Sequence, residues 1–183
     1  MTLGPVYLVT DGTQTGGRTL TAVIAAALRG GVRLVQVRER GLTTRALCAL
    51  IEDLLALTRP AGARLLVNDR VDVALACGAD GVHLPADGIP VADARTLLGD
   101  ARLIGISTHA PHEVAAAQAA GADFAVFGPL FDTPAKRRFG PPLGLEGLRA
   151  ARAAATLPLF GIGGIDAGNA AAVRAAGADG VAA

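Results

Sequence analysis

The sequence predicts an α/β fold in which eight parallel strands alternate with helices and close into a (β/α)8 barrel. Short runs rich in Val, Ile and Leu recur along the 183 residues, as expected for strands buried on both faces. Segments with apolar residues at helical spacing separate these runs. Eight such units favour a closed TIM barrel over an open doubly wound sheet, and we interpret 1–183 as a single domain.

Each predicted strand is a short apolar run that ends in polar residues. In chain order the strands are predicted at 6–11, 34–39, 64–69, 81–85, 103–108, 124–129, 157–164 and 180–183. The clearest helices are predicted at 18–30 and 44–58, where apolar residues form one stripe. The sequence stops at Ala183 in the last strand, so the eighth helix of a barrel is absent from this chain. We interpret the chain as incomplete there; the alternative is a partner that covers the gap.

The triplet Gly-Ala-Asp occurs at 78–80, 121–123 and 177–179, each time between an alanine-rich segment and an apolar run. Glycine after a helix supplies a left-handed cap, and Ala and Asp then turn the chain into the next strand. Gly30 and Gly31 are predicted to act in the same way. The triplets are therefore interpreted as structural.

Composition excludes several classes of protein. Hydrophobic residues make up 51% of the chain and charged residues 18%, which argues against disorder. A net charge of +1 and an aromatic content of 3% give no basis for binding nucleic acid or a membrane surface. The chain has no secretory signal and no apolar run long enough to cross a bilayer, so a cytoplasmic protein is predicted. Cys48 and Cys77, far apart in the sequence, are interpreted as small core residues.

Polar residues gather where the predicted strands end, which is where barrels carry their chemistry. Gln36, Arg38 and Arg40 share one face of strand two, and Arg38 is expected to meet Glu39, Asp69 or an anion. Asn68 and Asp69 follow strand three. Two interpretations of Asp69 stay open: it holds Mg²⁺ that bridges a diphosphate, or it caps the helix that starts near Val71.

The later strands add a phosphate site and a candidate base. "GIGGID" at 161–166 predicts a phosphate cradle in which Gly163 and Gly164 allow close backbone approach and the next helix offers free amides. Lys136, in the loop 129–144, is a candidate cationic finger. His109 follows Ser107 and is a candidate for proton transfer, with a surface histidine as the alternative. His83 is expected to pack near the strand ends with its polar atoms satisfied.

With these residues assembled, the chain resembles the thiamine phosphate synthase/TenI family almost from end to end. The resemblance is carried by "YLVTD", "GGVRLVQVRER", "VNDRVDVALACGADGVHLP", "GISTH", "GADFAVFGPLFDTPAK", "GPPLGLEGL", "PLFGIGGI" and "GADGVA". It implies a (β/α)8 barrel in vitamin B1 biosynthesis that binds a small phosphorylated heterocycle; a homo-oligomer is left open. The synthases join hydroxymethylpyrimidine diphosphate to a thiazole phosphate and release pyrophosphate with Mg²⁺. The TenI branch includes a thiazole tautomerase that moves protons without a cofactor.

The chain departs from the synthase pattern at three places. "HLPADG" stands where synthases read "HLGQED", so Gly88 replaces the second metal aspartate and Asp87 lies one residue early. Arg40 replaces a lysine that faces the diphosphate. In the "TxTK" motif Thr133 and Lys136 remain, but the second threonine is Ala135. These departures weaken the expected diphosphate and metal site and leave the thiazole phosphate cradle intact.

On balance the resemblance favours the TenI-type tautomerase, with His109, Arg38 and Ser107 as its catalytic residues. The expected substrate contacts are Gln36, Arg40, Asn68, Thr133, Lys136, Gly163 and Gly164. The alternative is a Mg²⁺-dependent synthase in which Asp69, with Asp87 as a weaker candidate, holds the metal. A third alternative is a non-catalytic ligand-binding or regulatory protein that kept the barrel and the phosphate site.

Overall fold

Eight parallel strands pair in chain order around a closed ring in the structure, a computed structural model that describes residues 3–133 and 141–183. The strands are β1 (Val6–Val9), β2 (Leu34–Val37), β3 (Arg64–Asn68), β4 (Gly81–Leu84), β5 (Leu103–Thr108), β6 (Phe124–Phe127), β7 (Leu159–Ile162) and β8 (Gly180–Ala182). β8 closes the ring on β1, with Tyr7 opposite Ala182. All eight predicted strands and the closed barrel are confirmed.

Helices cover the outside of this barrel, and in the described part of the chain one α-helix follows each of the first seven strands. They are α1 (Leu20–Arg29), α2 (Thr44–Thr58), α3 (Val71–Cys77), α4 (Val91–Leu98), α5 (Pro111–Ala119), α6 (Gly144–Ala154) and α7 (Ala170–Ala175). A short 3-10 helix (Gly12–Gln14) precedes α1. No helix among the described residues is both long and apolar enough to cross a membrane.

The strands are buried on both faces, which explains their continuous apolar runs. One cluster fills the barrel interior: Leu3, Tyr7, Leu34, Leu66, Phe124, Val126, Phe160 and Ala182. Two further clusters pack the helices against the outer face of the strands. Because all strands run the same way, their carboxyl ends open at one end of the barrel, and residues that follow them become neighbours.

The three Gly-Ala-Asp triplets have the backbone that the sequence predicts. Gly78, Gly121 and Gly177 all have positive φ values, of 66°, 92° and 111°. Before β2, where Gly30 and Gly31 stand in place of a Gly-Ala-Asp triplet, Gly31 takes this conformation with φ 96°. Gly30 has φ −74° and is the C-cap residue of α1. The expectation that both glycines share the role is therefore wrong for Gly30.

The aspartate of each triplet also ties two strands together. Asp123 precedes β6, and its Oδ2 accepts a hydrogen bond of 2.7 Å from the Ile104 N–H of β5 and another of 2.7 Å from Arg95. The same arrangement recurs before β4, where Asp80 accepts from the Leu65 N–H and from Arg64. It recurs again before β8, where Asp179 accepts from the Leu159 N–H and from Arg152. The triplets therefore stabilise the amino-terminal end of the barrel, opposite the strand carboxyl ends.

Replacing one of these aspartates should destabilise the fold. Asp123→Ala leaves the Ile104 amide, on a fully buried residue, without its acceptor, and an unpaired buried amide costs about 1–3 kcal/mol. We expect urea unfolding to report a loss of that size. Asp100→Ala, at an exposed aspartate without a hydrogen bond to the described residues, is the matched control and should change stability little. Equal losses in the two variants would contradict the role of Asp123.

Candidate functional site

Two polar pairs lie inside the barrel, below the opening at the strand carboxyl ends. Gln36 is buried on β2, and its Nε2 donates to the Tyr7 hydroxyl over 3.0 Å. His83 is buried on β4, and its Nε2 lies 2.9 Å from Ser107 Oγ on β5. Polar groups inside a protein need such partners, so these bonds hold Gln36 and Ser107 in place.

Only one of the two ring nitrogens of His83 has a hydrogen-bond partner among the described residues, whereas the sequence analysis expects both to be satisfied. Its Nδ1 is buried and has no hydrogen-bond partner. Burial, and next the positive charge of Arg38, lower the pKa of His83 from 6.5 to about 3. The ring is therefore neutral near pH 7, and it can either accept a hydrogen bond from the Ser107 hydroxyl or donate one to it. Alternation along β4 could have pointed to an inward His83, but its partner on β5 is visible only in the fold.

Arg38 stands half-buried just after β2. Burial lowers its pKa, and Arg40 adds to this, while Asp11 and Glu39 oppose it. Among the described residues no hydrogen bond or ion pair reaches its side chain. Glu39 instead accepts from Thr10 Oγ1 at 2.6 Å and from a loop amide. Among the described residues neither Glu39 nor Asp69 forms a hydrogen bond or ion pair with Arg38, and Glu39 acts on it only through its charge. An anion as the partner of Arg38 stays a prediction.

A cavity of about 210 Å³ lies at the rim of the barrel, where β2 and β3 end. Arg40, Asn68 and Asp69 are among its lining residues, together with Arg70. Asp69 has φ 65°, the one positive φ outside glycine among the described residues. Such a conformation is costly for a residue with a side chain, and it is found where function constrains the backbone.

The carboxylate of Asp69 has no hydrogen bond or ion pair within the described chain, although Arg70 lies close enough to sense its charge. Arg70 itself pairs with Asp72 at 2.6 Å. Asp69 does not cap α3, because Arg70 occupies the N-cap position and no side chain bonds there. The capping interpretation of Asp69 is therefore wrong. Asp87 is exposed and is not among the residues that line the cavity.

His109 follows β5 and is oriented by the backbone. Its ring Nδ1 lies 2.5 Å from the carbonyl oxygen of Gly128. Its backbone N–H donates to Glu113 Oε2 over 2.6 Å. A carbonyl only accepts, so Nδ1 carries the proton and the neutral ring keeps a lone pair on Nε2. The side chain is exposed, which leaves Nε2 accessible to a ligand.

The loop after β7 offers backbone amides to an anion. Gly163 and Gly164 have φ values of 96° and 64°, and their N–H groups donate no hydrogen bond to the described residues. A Cβ at Gly163 would lie 2.7 Å from Pro129 Cβ, and one at Gly164 would lie 2.8 Å from Phe131 Cβ. Consecutive free amides in such a turn form a concave anion site.

The amides at the start of α7 are not free for that site. α7 begins only at Ala170 and has six residues, and the turn before it is closed by Asp166, which accepts from Gly168 and Asn169. The amides of Gly168, Asn169 and Ala170 are therefore already bonded within the turn, and a contribution of later α7 amides to this site stays a prediction. Thr133 is half-buried at the end of a described segment, and Lys136 lies outside the described residues.

A metal at this end of the barrel would need ligands beyond the protein. Within residues 3–133 and 141–183, no group of three His, Cys, Asp or Glu side chains could hold an ion. Mg²⁺ does not require such a group, because it commonly uses one or two carboxylates, water and substrate phosphates. The Asp69 carboxylate, which has no partner among the described residues, and the adjacent amide of Asn68 fit that chemistry.

A family profile described as thiamine monophosphate synthase matches residues 6–183. The chain belongs to the thiamine monophosphate synthase family.

Relatives in this family are similar over nearly the whole chain. The thiamine-phosphate synthase of Albidiferax ferrireducens is 50% identical over 97% of this chain and 81% of its own length. That of Roseiflexus sp. is 48% identical over 98% of this chain and 76% of its own. A solved thiamine phosphate pyrophosphorylase from Pyrococcus furiosus superposes with a TM-score of 0.88, at 34% identity, over 98% of this chain and 84% of its own. Membership of the thiamine monophosphate synthase family confirms the predicted thiamine-pathway enzyme, while the tautomerase branch gains no specific support.

The buried His83 should make stability depend on pH. Between pH 6.5 and about 3 the unfolded chain binds a proton on His83 that the folded chain excludes, so stability falls as pH falls through this range. The slope from this group is at most about 1.4 kcal/mol per pH unit. In urea unfolding from pH 7 to 4.5, His83→Gln should lose this part of the slope. His112→Gln, at an exposed histidine on α5, should keep it; an unchanged slope in His83→Gln would contradict the assignment.

Proposed function

We propose that this chain is a thiamine-phosphate synthase, which joins hydroxymethylpyrimidine diphosphate to a thiazole phosphate and releases pyrophosphate. The observation that carries the proposal is Asp69. Its carboxylate has no partner among the described residues, its backbone is in a left-handed conformation with φ 65°, and it lines a cavity with Arg40 and Asn68. The names of the relatives support the same reaction. The preference for the tautomerase is therefore reversed.

The reaction forms a bond between the two heterocycles and breaks the bond from carbon to the diphosphate oxygen. The developing charge on the leaving diphosphate needs cations close by. Arg38 has no partner among the described side chains, and Arg40 lines the cavity beside Asp69, so both can neutralise it. Lys136 remains a predicted third cation.

Mg²⁺, held through Asp69 and Asn68, would add charge neutralisation on the diphosphate. A charged carboxylate and an amide oxygen are hard ligands of the type that this ion prefers. Asp69 can serve without breaking any contact in the protein, because no described residue pairs with it. The positive φ of Asp69 fixes its backbone conformation before a ligand binds.

The other residues would hold the two heterocycles. The amides of Gly163 and Gly164, which donate to no described residue, would bind the thiazole phosphate. Gln36 donates from its Nε2 to Tyr7, and its side-chain carbonyl oxygen would accept a hydrogen bond from a substrate ring. Ser107, bonded to His83, presents a hydroxyl with a restricted direction. Restricting such groups in advance lowers the entropy cost of binding and reaction.

The decisive assay is Mg²⁺-dependent formation of thiamine phosphate from both purified substrates. Asp69→Asn keeps the size of the side chain and removes its charge, so we expect turnover to fall by at least about 10²-fold. Asp87→Asn makes the same change at an exposed aspartate outside the cavity and should retain turnover. Absence of product from the wild-type protein would overturn the proposal, and equal losses in both variants would return Asp87 to the metal site.

A second candidate function, the thiazole tautomerase, rests on His109. Its Nδ1 faces the Gly128 carbonyl and leaves the Nε2 lone pair free, which is the arrangement of an oriented base. If the chain is a tautomerase, His109→Ala should reduce that proton transfer by roughly 10²–10⁴-fold. His112→Ala is the matched control. A synthase should keep thiamine phosphate formation in His109→Ala, and binding of thiazole phosphate without either reaction would indicate a non-catalytic protein.

A further inference from the structure

The hydrogen bond between His83 and Ser107 can run in either direction, and its direction decides what Ser107 offers to a ligand. Burial lowers the pKa of His83 to about 3, so the imidazole carries one proton near pH 7. If that proton is on Nε2, the imidazole donates to Ser107 Oγ, and the hydroxyl proton stays available to a ligand. If it is on Nδ1, the hydroxyl donates to Nε2 and can only accept from a ligand.

The surroundings of Nδ1 favour a proton on Nε2. Nδ1 is buried and has no hydrogen-bond partner among the described residues, whereas Nε2 lies 2.9 Å from Ser107 Oγ. Buried N–H groups without an acceptor are rarer in proteins than acceptors without a donor. A proton on Nδ1 would create such an N–H group, while a proton on Nε2 leaves only an unused lone pair.

The neighbouring aromatic rings do not replace the missing acceptor. The centroid of the His83 ring lies 5.6 Å from that of Tyr7 and 6.1 Å from that of Phe124, at interplanar angles of 51° and 44°. An aromatic face accepts an N–H best when the two rings are nearly perpendicular. These tilted rings therefore pack on the imidazole and are poor acceptors for Nδ1.

The imidazole is also held in place beside Ser107. His83 pairs with Gly105 in the register of β4 and β5, and Ser107 is the next residue of β5 on that face. A Cβ at Gly105 would lie 2.2 Å from Phe124 Cζ, so the Phe124 ring occupies the space that a side chain there would fill. Because His83 is only 3% exposed, its ring has little freedom to turn away from Ser107.

We propose that His83 is a positioning residue whose Nε2–H donates to Ser107 and thereby makes the Ser107 hydroxyl a hydrogen-bond donor to the substrate. The substrate is that of the proposed synthase reaction, so the inference rests on that function. Ser107 is half-buried near the carboxyl end of β5, and among the described residues its hydroxyl bonds only to His83. Ionised phosphate oxygens accept hydrogen bonds and donate none, so a hydroxyl that is set to donate suits a phosphorylated substrate.

The position of the proton can be read directly in the ligand-free wild-type chain with ¹⁵N-labelled histidine. The chain has three histidines, and His109→Gln and His112→Gln, both at exposed positions, assign the other two rings. In long-range ¹H–¹⁵N spectra, Nε2 couples to both carbon-bound ring protons and Nδ1 couples strongly to only one. We expect Nε2 of His83 to carry the proton and Nδ1 to show the shift of an unprotonated nitrogen. A protonated Nδ1 would overturn the proposal.

A double-mutant cycle tests whether His83 acts through Ser107. The value of kcat/KM for the pyrimidine diphosphate is measured in the wild type, in His83→Leu, in Ser107→Ala and in the double variant. Loss of a hydrogen bond to a charged substrate should cost Ser107→Ala about 10–100-fold. We expect His83→Leu to cost about tenfold when Ser107 is present and almost nothing in addition to Ser107→Ala. Equal effects of His83→Leu in both backgrounds, including no effect, would overturn the proposal.

Failure of this inference and failure of the proposed function give different results. If the wild-type chain forms no thiamine phosphate, the synthase assignment fails whatever the tautomer of His83. If thiamine phosphate forms but Nδ1 carries the proton, or His83→Leu costs the same in both backgrounds, only the role of His83 fails. If His83→Leu does not fold, the spectrum of the wild-type chain decides alone, because it needs no variant at this position.

Discussion

Closure of the parallel ladder between β8 and β1 is the interaction on which the rest of the molecule depends. The pairing of Tyr7 with Ala182 completes the ring, so every strand has two neighbours. All strand carboxyl ends then open at one end, and the loops after β2, β3, β5 and β7 surround the same opening. The aspartates of the Gly-Ala-Asp triplets secure the opposite end by pairing with amides of neighbouring strands. Stability and ligand binding are thus placed at different ends of the barrel.

Inside this ring, polar side chains are tolerated only in pairs. Tyr7 holds Gln36 and His83 holds Ser107, and burial raises the pKa of Tyr7 and lowers that of His83, so both stay neutral. Neutral, bonded groups can sit beneath the opening without the cost of a buried charge. The Nδ1 of His83 has no hydrogen-bond partner among the described residues, and other interactions in the fold must offset the free-energy cost of burying it.

Two charged groups at the opening, Arg38 and Asp69, follow the opposite rule, because no described residue forms a hydrogen bond or ion pair with their side chains. Glu39 could neutralise Arg38 but bonds to Thr10 and the next loop, and Arg70 could neutralise Asp69 but pairs with Asp72. Nearby opposite charges are thus directed away from the two groups that the proposed diphosphate and metal would use. A site arranged in this way does not have to break internal ion pairs when a ligand binds.

The order of strands and helices, the triplet turns and the family could all be read from the sequence, because each is a local or periodic pattern repeated along the chain. The bond between His83 and Ser107, and the lack of a partner for the Asp69 carboxylate among the described residues, could not. Each depends on how residues from different strands or helices are brought together by register and closure, which no local pattern encodes. The late start of α7 belongs with these, because Asp166 closes the preceding turn and delays the helix. Local periodicity therefore determines the barrel, and long-range packing determines which of its polar residues remain free to act.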